Sequence, residues 1–512
     1  MSPEADFVAG PGLPTGAQDQ EDDLGLSSVV AVMGDGDQVR ARAARAALSN
    51  PVADHATLLW RQQALADLTA NAGLATELYQ AATYALREHD RLTIWGMGRS
   101  PESMRYTSVQ VLEMFVPELV KLRRLLAGYG DRLASPALRG LHDRVQAELD
   151  DRYLDEVRSH LARMQLAGGT SFSASLGDAN HGTAYMMHEP PSQGMRWRLA
   201  RRGPQSRTFS VAEGDEEGMR ALARLQGRGI AVAATALAAA AAHVRGFFEV
   251  LQAETAFYLG AMHLSAVIGS RGYPTCTPLF SQGTDHALEA TALCDAGLCL
   301  RSPSAVVAND LSTQGRRLVV VTGANRGGKS TFLRSVGVAQ LMAQCGLPVV
   351  ARAYRAPVFD RVLTHFKRDE DAGANAGRLE SELERLSGTL HQLSTSSLLL
   401  CNEPFASTNE EEGSQIGLQV LVPLSALGTQ VFVVTHLFEL ADGARRDHGA
   451  TTLFLRARRE GQQAPFRLVE APPEPTAYGE DLYRRVFGAP PAVPLPGAAP
   501  TTGTGGTGDA GP

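Results

Sequence analysis

Eight consecutive residues, Gly323-Ala324-Asn325-Arg326-Gly327-Gly328-Lys329-Ser330, have the spacing G-x-x-x-x-G-K-S. They follow the apolar run Arg317–Gly323, RLVVVTG, and open the helical stretch 328–344. A glycine-rich turn between a strand and a helix lets the backbone wrap phosphate oxygens, and the helix N-terminus favours the anion. Lysine at this place reaches β- and γ-phosphates, and the serine hydroxyl ligates Mg²⁺. The predicted nucleotide ligands are therefore Gly323, Asn325, Gly327, Gly328, Lys329, Ser330 and Thr331, with ATP and Mg²⁺ as the implied cofactors. Lysine occurs at only three positions, Lys121, Lys329 and Lys367, in a chain whose other basic residues are all arginine. One of those three lysines thus sits inside the motif.

Hydrolysis needs an acidic or water-orienting group beside the γ-phosphate and a polar group near the metal. The run SLLLCNE, 397–403, is a second apolar strand that ends in Asn402 and Glu403. Asn402 stands where an aspartate is usual; it can accept a hydrogen bond from metal-bound water but brings no charge. Glu403 is the candidate that polarises the attacking water. A third strand, QVFVVTH at 430–436, ends in His436, at the strand end where such folds bind ligands. His436 is the second catalytic candidate.

These strands alternate with helices, so residues 301–475 are predicted to form an α/β P-loop domain with a parallel-rich sheet. Residues 26–300 read as a mostly helical core and lever domain. Within them, 137–165 places Leu141, Val145, Leu149 and Leu154 near one helical face, and 217–267 reads as one very long helix. A strand-and-loop insert is predicted near 168–212. The ends, 1–25 and 489–512, have the polar, Gly/Pro-rich composition of disordered segments.

The chain has 512 residues, 44% of them apolar, and a net charge of −7, so any nucleic acid must be gripped by a local patch. Five scattered cysteines form no zinc pattern and fit a reducing cytoplasm. The start has no basic, apolar leader, and the alanine-rich run 229–244 reads as a soluble helix and not a membrane span. The candidate patch is Arg196, Trp197, Arg198, Arg201, Arg202 and Arg207, where arginines and an aromatic suit phosphate contact and stacking.

Residues 300–445 resemble the ATPase domain of the MutS mismatch-repair family. VTGANRGGKSTFLRSVGVAQLMAQCG is similar to that family's TGPNxGGKST loop and helix, with Ala324 in place of proline. NEPFASTNEEEG has the length of DEIGRGTSTYDG and keeps Glu403, Thr408 and Gly413, and VVTHLFEL is similar to ATHYFEL. The resemblance implies an ABC-like composite site in a homodimer, each subunit completing the other's site with a signature stretch. Carried onto this chain, that stretch contributes Gly377, Arg378 and Glu382 in trans. Gly377 replaces the family's signature serine, and Val306 stands where the family places an aromatic near adenine. The helices before 300 look more loosely like the family's levers, with the arginine cluster where a DNA-gripping clamp would be. The family's N-terminal mismatch-reading domain, with its Phe-x-Glu wedge, finds no counterpart, nor does the nuclease-like C-terminal domain of one branch.

Three readings follow. The first is an ATPase clamp in DNA repair or recombination that grips double-stranded or branched DNA. The second is an ATP-switched protein-interaction module. The third, prompted by Asn402 and Gly377, is a nucleotide-binding structural protein with little turnover.

Overall fold

The computed structural model describes residues 16–94, 100–166, 171–176, 182–188, 215–281, 286–324, 327–368, 377–458 and 466–474. The described residues begin with eight α-helices: α1 Ala17–Leu24, α2 Ser27–Gly34, α3 Gln38–Ser49, α4 His55–Ala70, α5 Ala72–Thr93, α6 Pro101–Tyr129, α7 Pro136–Glu148 and α8 Asp151–Met164. Their starts are written locally. The side chains of Asp37, Asp54, Ser100, Ser135 and Asp150 each accept from a backbone N–H of the first turn, and proline opens α6 and α7. The stretch 137–165 is two helices rather than one. Asp150 caps a new start by accepting from Tyr153 N, 2.7 Å, and the chain turns there. Val145 and Leu154 are still buried on the shared core side, while Leu141 and Leu149 pack at its margin.

Composition misjudges the segment 1–25 in one respect. Residues 17–24 form α1, and Leu24 is buried in the main core. The acidic residues that suggested disorder have partners: Glu21 pairs with Arg45 at 3.0 Å and Asp19 pairs with Arg368. Gln20 Nε2 donates to Val362 O at 2.5 Å.

An antiparallel hairpin, β1 Ser171–Leu176 and β2 Gly182–His188, begins the mid-chain insert. Arg196, Arg198, Arg201, Arg202 and Arg207 lie outside the described residues. Helix α9, Glu216–Ser270, is a single helix of 55 residues, as its pattern predicted. Its Gly227–Ser270 part is long and apolar enough to cross a bilayer by length and composition alone. Its C-terminal half packs instead on α2, α3, α5 and α6, burying Phe248, Leu251, Phe257 and Tyr258. Phe115 stacks on Phe248 at 5.5 Å.

The rest of the described chain runs β3 Leu279–Phe280, β4 Glu289–Leu293, α10 Ala296–Arg301, β5 Asn309–Ser312, β6 Leu318–Thr322, α11 Lys329–Gln344, β7 Ala353–Ala356, β8 Val362–Phe366, α12 Arg378–Leu390, β9 Leu398–Asn402, α13 Glu410–Ala426, β10 Gln430–Val434, α14 Phe438–His448, β11 Thr452–Ala457 and β12 Leu468–Glu470. Six strands form one sheet in the order β12-β11-β6-β10-β9-β8, parallel except for β12. A second sheet, β3-β7-β4-β5, is mixed.

The strands of the six-stranded sheet are apolar throughout because both faces are covered. In β6, Val319 and Val321 enter the large core shared with α11 and the helical region, while Leu318 and Val320 enter a smaller core under α13 and α14. β9 and β10 divide in the same way: Leu398, Leu400, Phe432 and Val434 on one side, Leu399, Cys401, Val431 and Val433 on the other. The period of two is present but hidden by uniform burial. Parallel pairing brings the carboxyl ends of β6, β9 and β10 to one edge, where the candidate residues gather.

Candidate nucleotide site

The turn after β6 is shaped by glycines that no other residue replaces. Gly323 has φ 122°, and a Cβ there would stand 2.9 Å from the Cβ of Ala457 at the end of β11. Gly328, φ 87°, begins α11 with no side-chain cap, so the first N–H groups of the helix are left for a ligand. Lys329 is buried, and its Nζ donates to Gly323 O at 2.9 Å and to Ala324 O at 3.0 Å. Burial lowers the Lys329 ammonium from its ordinary value, and the Glu403 charge opposes that shift. The lysine is thus folded onto its own loop.

Ser330 Oγ donates to Asn402 Oδ1 at 2.8 Å, so the hydroxyl and amide meet at one point. That pairing suits a divalent ion whose remaining ligands are phosphate and water. Among the described residues, no group of three or more His, Cys, Asp or Glu side chains is placed to hold a metal ion by itself. Thr331 is half-buried in the first turn of α11. Asn325 lies outside the described residues.

Glu403 directly follows β9 and has φ 54°, a left-handed conformation for a residue with a side chain. Its N–H donates to Val434 O on β10 at 2.8 Å. Its carboxylate stands 4.0 Å from His436 Nδ1, and both side chains are partly exposed. Glu403 and His436, 33 residues apart in sequence, are therefore neighbours beside Lys329 and the Ser330–Asn402 pair.

The signature residues divide. Gly377 is exposed at the start of α12, and a Cβ there would meet nothing within 4 Å. Arg378 is the first residue of α12. Glu382 faces inward: its Oε1 accepts from Phe405 N at 2.6 Å and its Oε2 from Ser407 Oγ at 2.5 Å. The carboxylate that the resemblance offered to a partner subunit is bonded within its own. Burial alone would raise the Glu382 carboxyl; His365, Ser407 and Phe405 N together outweigh it and hold the group below the usual carboxylate range.

One feature escaped the sequence. Phe466, φ 55° and about half exposed, lies against Gly328. Asn309 holds it there, donating to Phe466 O at 3.2 Å and accepting from Leu468 N at 2.8 Å. The only signal was an isolated aromatic before a short strand. Val306, at the place the family fills with an aromatic, donates its N–H to the hydroxyl of Tyr273 at 3.0 Å.

Residues 53–271 match the MutS2 N-terminal domain, and residues 319–482 match MutS domain V. The second match contains the phosphate loop from Gly323 onward, Asn402, Glu403 and His436. The chain is similar to "Endonuclease MutS2" of Gemmatimonas aurantiaca, 31% identical over 37% of this chain and 23% of that protein. It is 36% identical to "Endonuclease MutS2" of Lactiplantibacillus plantarum, over 28% of this chain and 18% of that one. "DNA mismatch repair protein MutS" of Thermotoga petrophila is 32% identical over 30% of this chain and 19% of its own length. The matched stretches thus span less than a quarter of these relatives. The two domain matches lie in chain order on either side of the second sheet's first strands, and together with the phosphate-loop geometry they place this chain in the MutS family.

Proposed function

We propose that this chain is an ATP-hydrolysing clamp that acts on DNA in repair or recombination. The observation that carries the reading is the gathering of Lys329, the Ser330–Asn402 pair, Glu403 and His436 at one edge of the parallel sheet. The relatives' names, a mismatch-repair protein and an endonuclease, support DNA as the substrate class.

Each residue has a separate task. Lys329 leaves the Gly323 and Ala324 carbonyls and binds the β- and γ-phosphates, joined by the N–H groups that open α11. Phe466, against Gly328, offers a face for the base. Glu403 accepts a proton from water as its oxygen attacks the γ-phosphorus; the bond to the β–γ bridging oxygen breaks and ADP leaves. His436 holds the same water or a γ-oxygen. Ser330 and Asn402 would hold Mg²⁺, which would supply charge neutralisation to the phosphates. The functional unit is a homodimer in which Gly377 and Arg378 face the partner's γ-phosphate. DNA, double-stranded or branched, is held by the arginines at 196–207. The levers of 26–300 connect that grip to the ATPase of 301–475. The protein works in the cytoplasm, away from membranes.

Steady-state phosphate release, measured without DNA and with homoduplex, G·T-mismatched and branched DNA, tests this reading. Turnover that changes with DNA supports it. ATPase activity indifferent to every DNA, with no DNA retained at low salt, would favour the protein-interaction module.

A further inference from the structure

The segment after β9 is held in an uncommon shape. Glu403 and Phe405 both have left-handed backbones, φ 54° and φ 61°, on either side of Pro404. Such conformations are costly for residues with side chains and persist only where their surroundings impose them. Three constraints are visible here. Val434 O takes the Glu403 N–H. The Phe405 side chain is fully buried, and its carbonyl lies so close to Gly413 that a Cβ there would meet it at 2.8 Å. The third constraint is Glu382, which takes the Phe405 N–H on one carboxylate oxygen and the Ser407 hydroxyl on the other. Glu382 comes from the second turn of α12, the helix that begins at Gly377. Behind it stands His365 of β8, fully buried, with Nε2 3.6 Å from Glu382 Oε1. A carboxylate taken out of water is costly unless it is bonded on both oxygens. Both Glu382 oxygens are bonded, and both bonds go to the turn that carries Glu403.

We propose that Glu382 is a positioning residue acting within its own subunit, tying helix α12 to the strained turn that aims Glu403 at the phosphate loop. The inference rests on the reading of the chain as an ATPase and assigns Glu382 a task different from touching a partner's nucleotide. Through it, whatever engages the exposed start of α12 bears on the hydrolytic group of the same subunit.

The test uses the full-length protein with Glu382→Ala, Glu382→Gln and Ser407→Ala. Loss of the tether displaces Glu403 without touching the phosphate ligands, and a displacement of about 1 Å costs up to a hundredfold in rate. Glu382→Ala is therefore expected to lower kcat roughly ten- to a hundredfold while KM for ATP moves less than about threefold. Glu382→Gln keeps an acceptor for Phe405 N and an amide that can donate to Ser407, so it is expected to recover most of the rate. Ser407→Ala, which keeps the carboxylate, serves if Glu382→Ala does not fold, and is expected to show a smaller fall of the same kind. Amide exchange at Phe405 should quicken about tenfold or more in Glu382→Ala without nucleotide. A mixture of Glu382→Ala with Lys329→Ala chains separates the two roles. If Glu382 served the partner's site, the Lys329→Ala subunit would supply it and turnover would return; the tether predicts that it does not. Restored activity in the mixture, a wild-type kcat in Glu382→Ala, or unchanged exchange at Phe405 overturns the proposal. Absence of turnover in the wild type would instead sink the ATPase reading, and the exchange measurement would still decide the tether.

Discussion

Replacing Lys329 by alanine isolates the phosphate loop from the rest of the molecule. Lys329 is 5% exposed, and its ammonium is bonded to two carbonyls of its own loop. On the proposed reading those bonds pass to phosphate oxygens when ATP binds. Truncating one partner of a buried, hydrogen-bonded charge pair costs about 2–5 kcal/mol. At about 1.4 kcal/mol per decade, ATP affinity should fall roughly thirtyfold to several thousandfold. The effect on the fold is smaller, because two charge-assisted bonds and the burden of burying a charge disappear together. Far-UV circular dichroism should therefore be unchanged while calorimetric titration with ATP loses its signal. A dissociation constant within about threefold of wild type, equivalent to roughly 0.7 kcal/mol, would refute the assignment.

The remaining expectations are as follows. Glu403→Gln preserves shape and removes the charge beside His436, so ATP should bind normally while single-turnover hydrolysis slows about 10²–10⁴-fold; unaffected turnover would remove Glu403 from its role. Gly377→Ser meets no neighbour and gains a capping hydroxyl at the start of α12, so stability should rise by a few tenths of a kcal/mol. The same change should strengthen the ATP-bound dimer in light scattering; a dimer no tighter than wild type argues against Gly377 facing a partner's nucleotide. Leu24→Ala should cost about 2–5 kcal/mol in denaturant unfolding, since Leu24 is buried in the main core; a change under about 0.5 kcal/mol would mean that α1 is not docked in solution. Replacing Arg198, Arg201 and Arg202 with alanine should weaken duplex binding and flatten its log–log salt dependence by about 0.9 for each phosphate no longer neutralised, and competition with a G·T duplex should favour the mismatch by less than about tenfold.

What the sequence disclosed depended on how far apart the interacting residues lie. The phosphate loop is contiguous, with strand, turn and helix written in adjacent residues, so Gly323, Lys329 and Ser330 could be placed directly. Asn402, Glu403 and His436 were legible because parallel strands present their carboxyl ends at one edge, and each residue ends an apolar run. Glu382 was not legible in this sense. Its partners are 23 and 25 residues away and meet it only because α12 packs back against β8. The acidic α1 was misjudged because composition counts charges and not the arginines that pair with them. The second sheet was missed because its strands have two to five residues, too few to show a period.

One helix joins the candidate site to the helical region. α11 has 16 residues, about 24 Å at 1.5 Å per residue. Its first residue is Lys329. Its last, Gln344, donates its side-chain amide to Val52 O at 2.9 Å, and its backbone carbonyl accepts from Val52 N at 2.9 Å. The thiol of Cys345 donates to Ala47 O at 3.1 Å. The backbone of Gly346 leaves no room for a Cβ beside Arg61, which would lie 2.6 Å away. Thirteen of the helix's 16 residues are buried, so it has little freedom to bend. On the proposed reading, a shift of its N-terminus on phosphate binding would be carried along its length to Val52, Ala47 and Arg61. Those residues belong to α3, α4 and their connection, and α3 and α4 pack against α9. From the loop after β6 to α9, each step runs through close-packed groups.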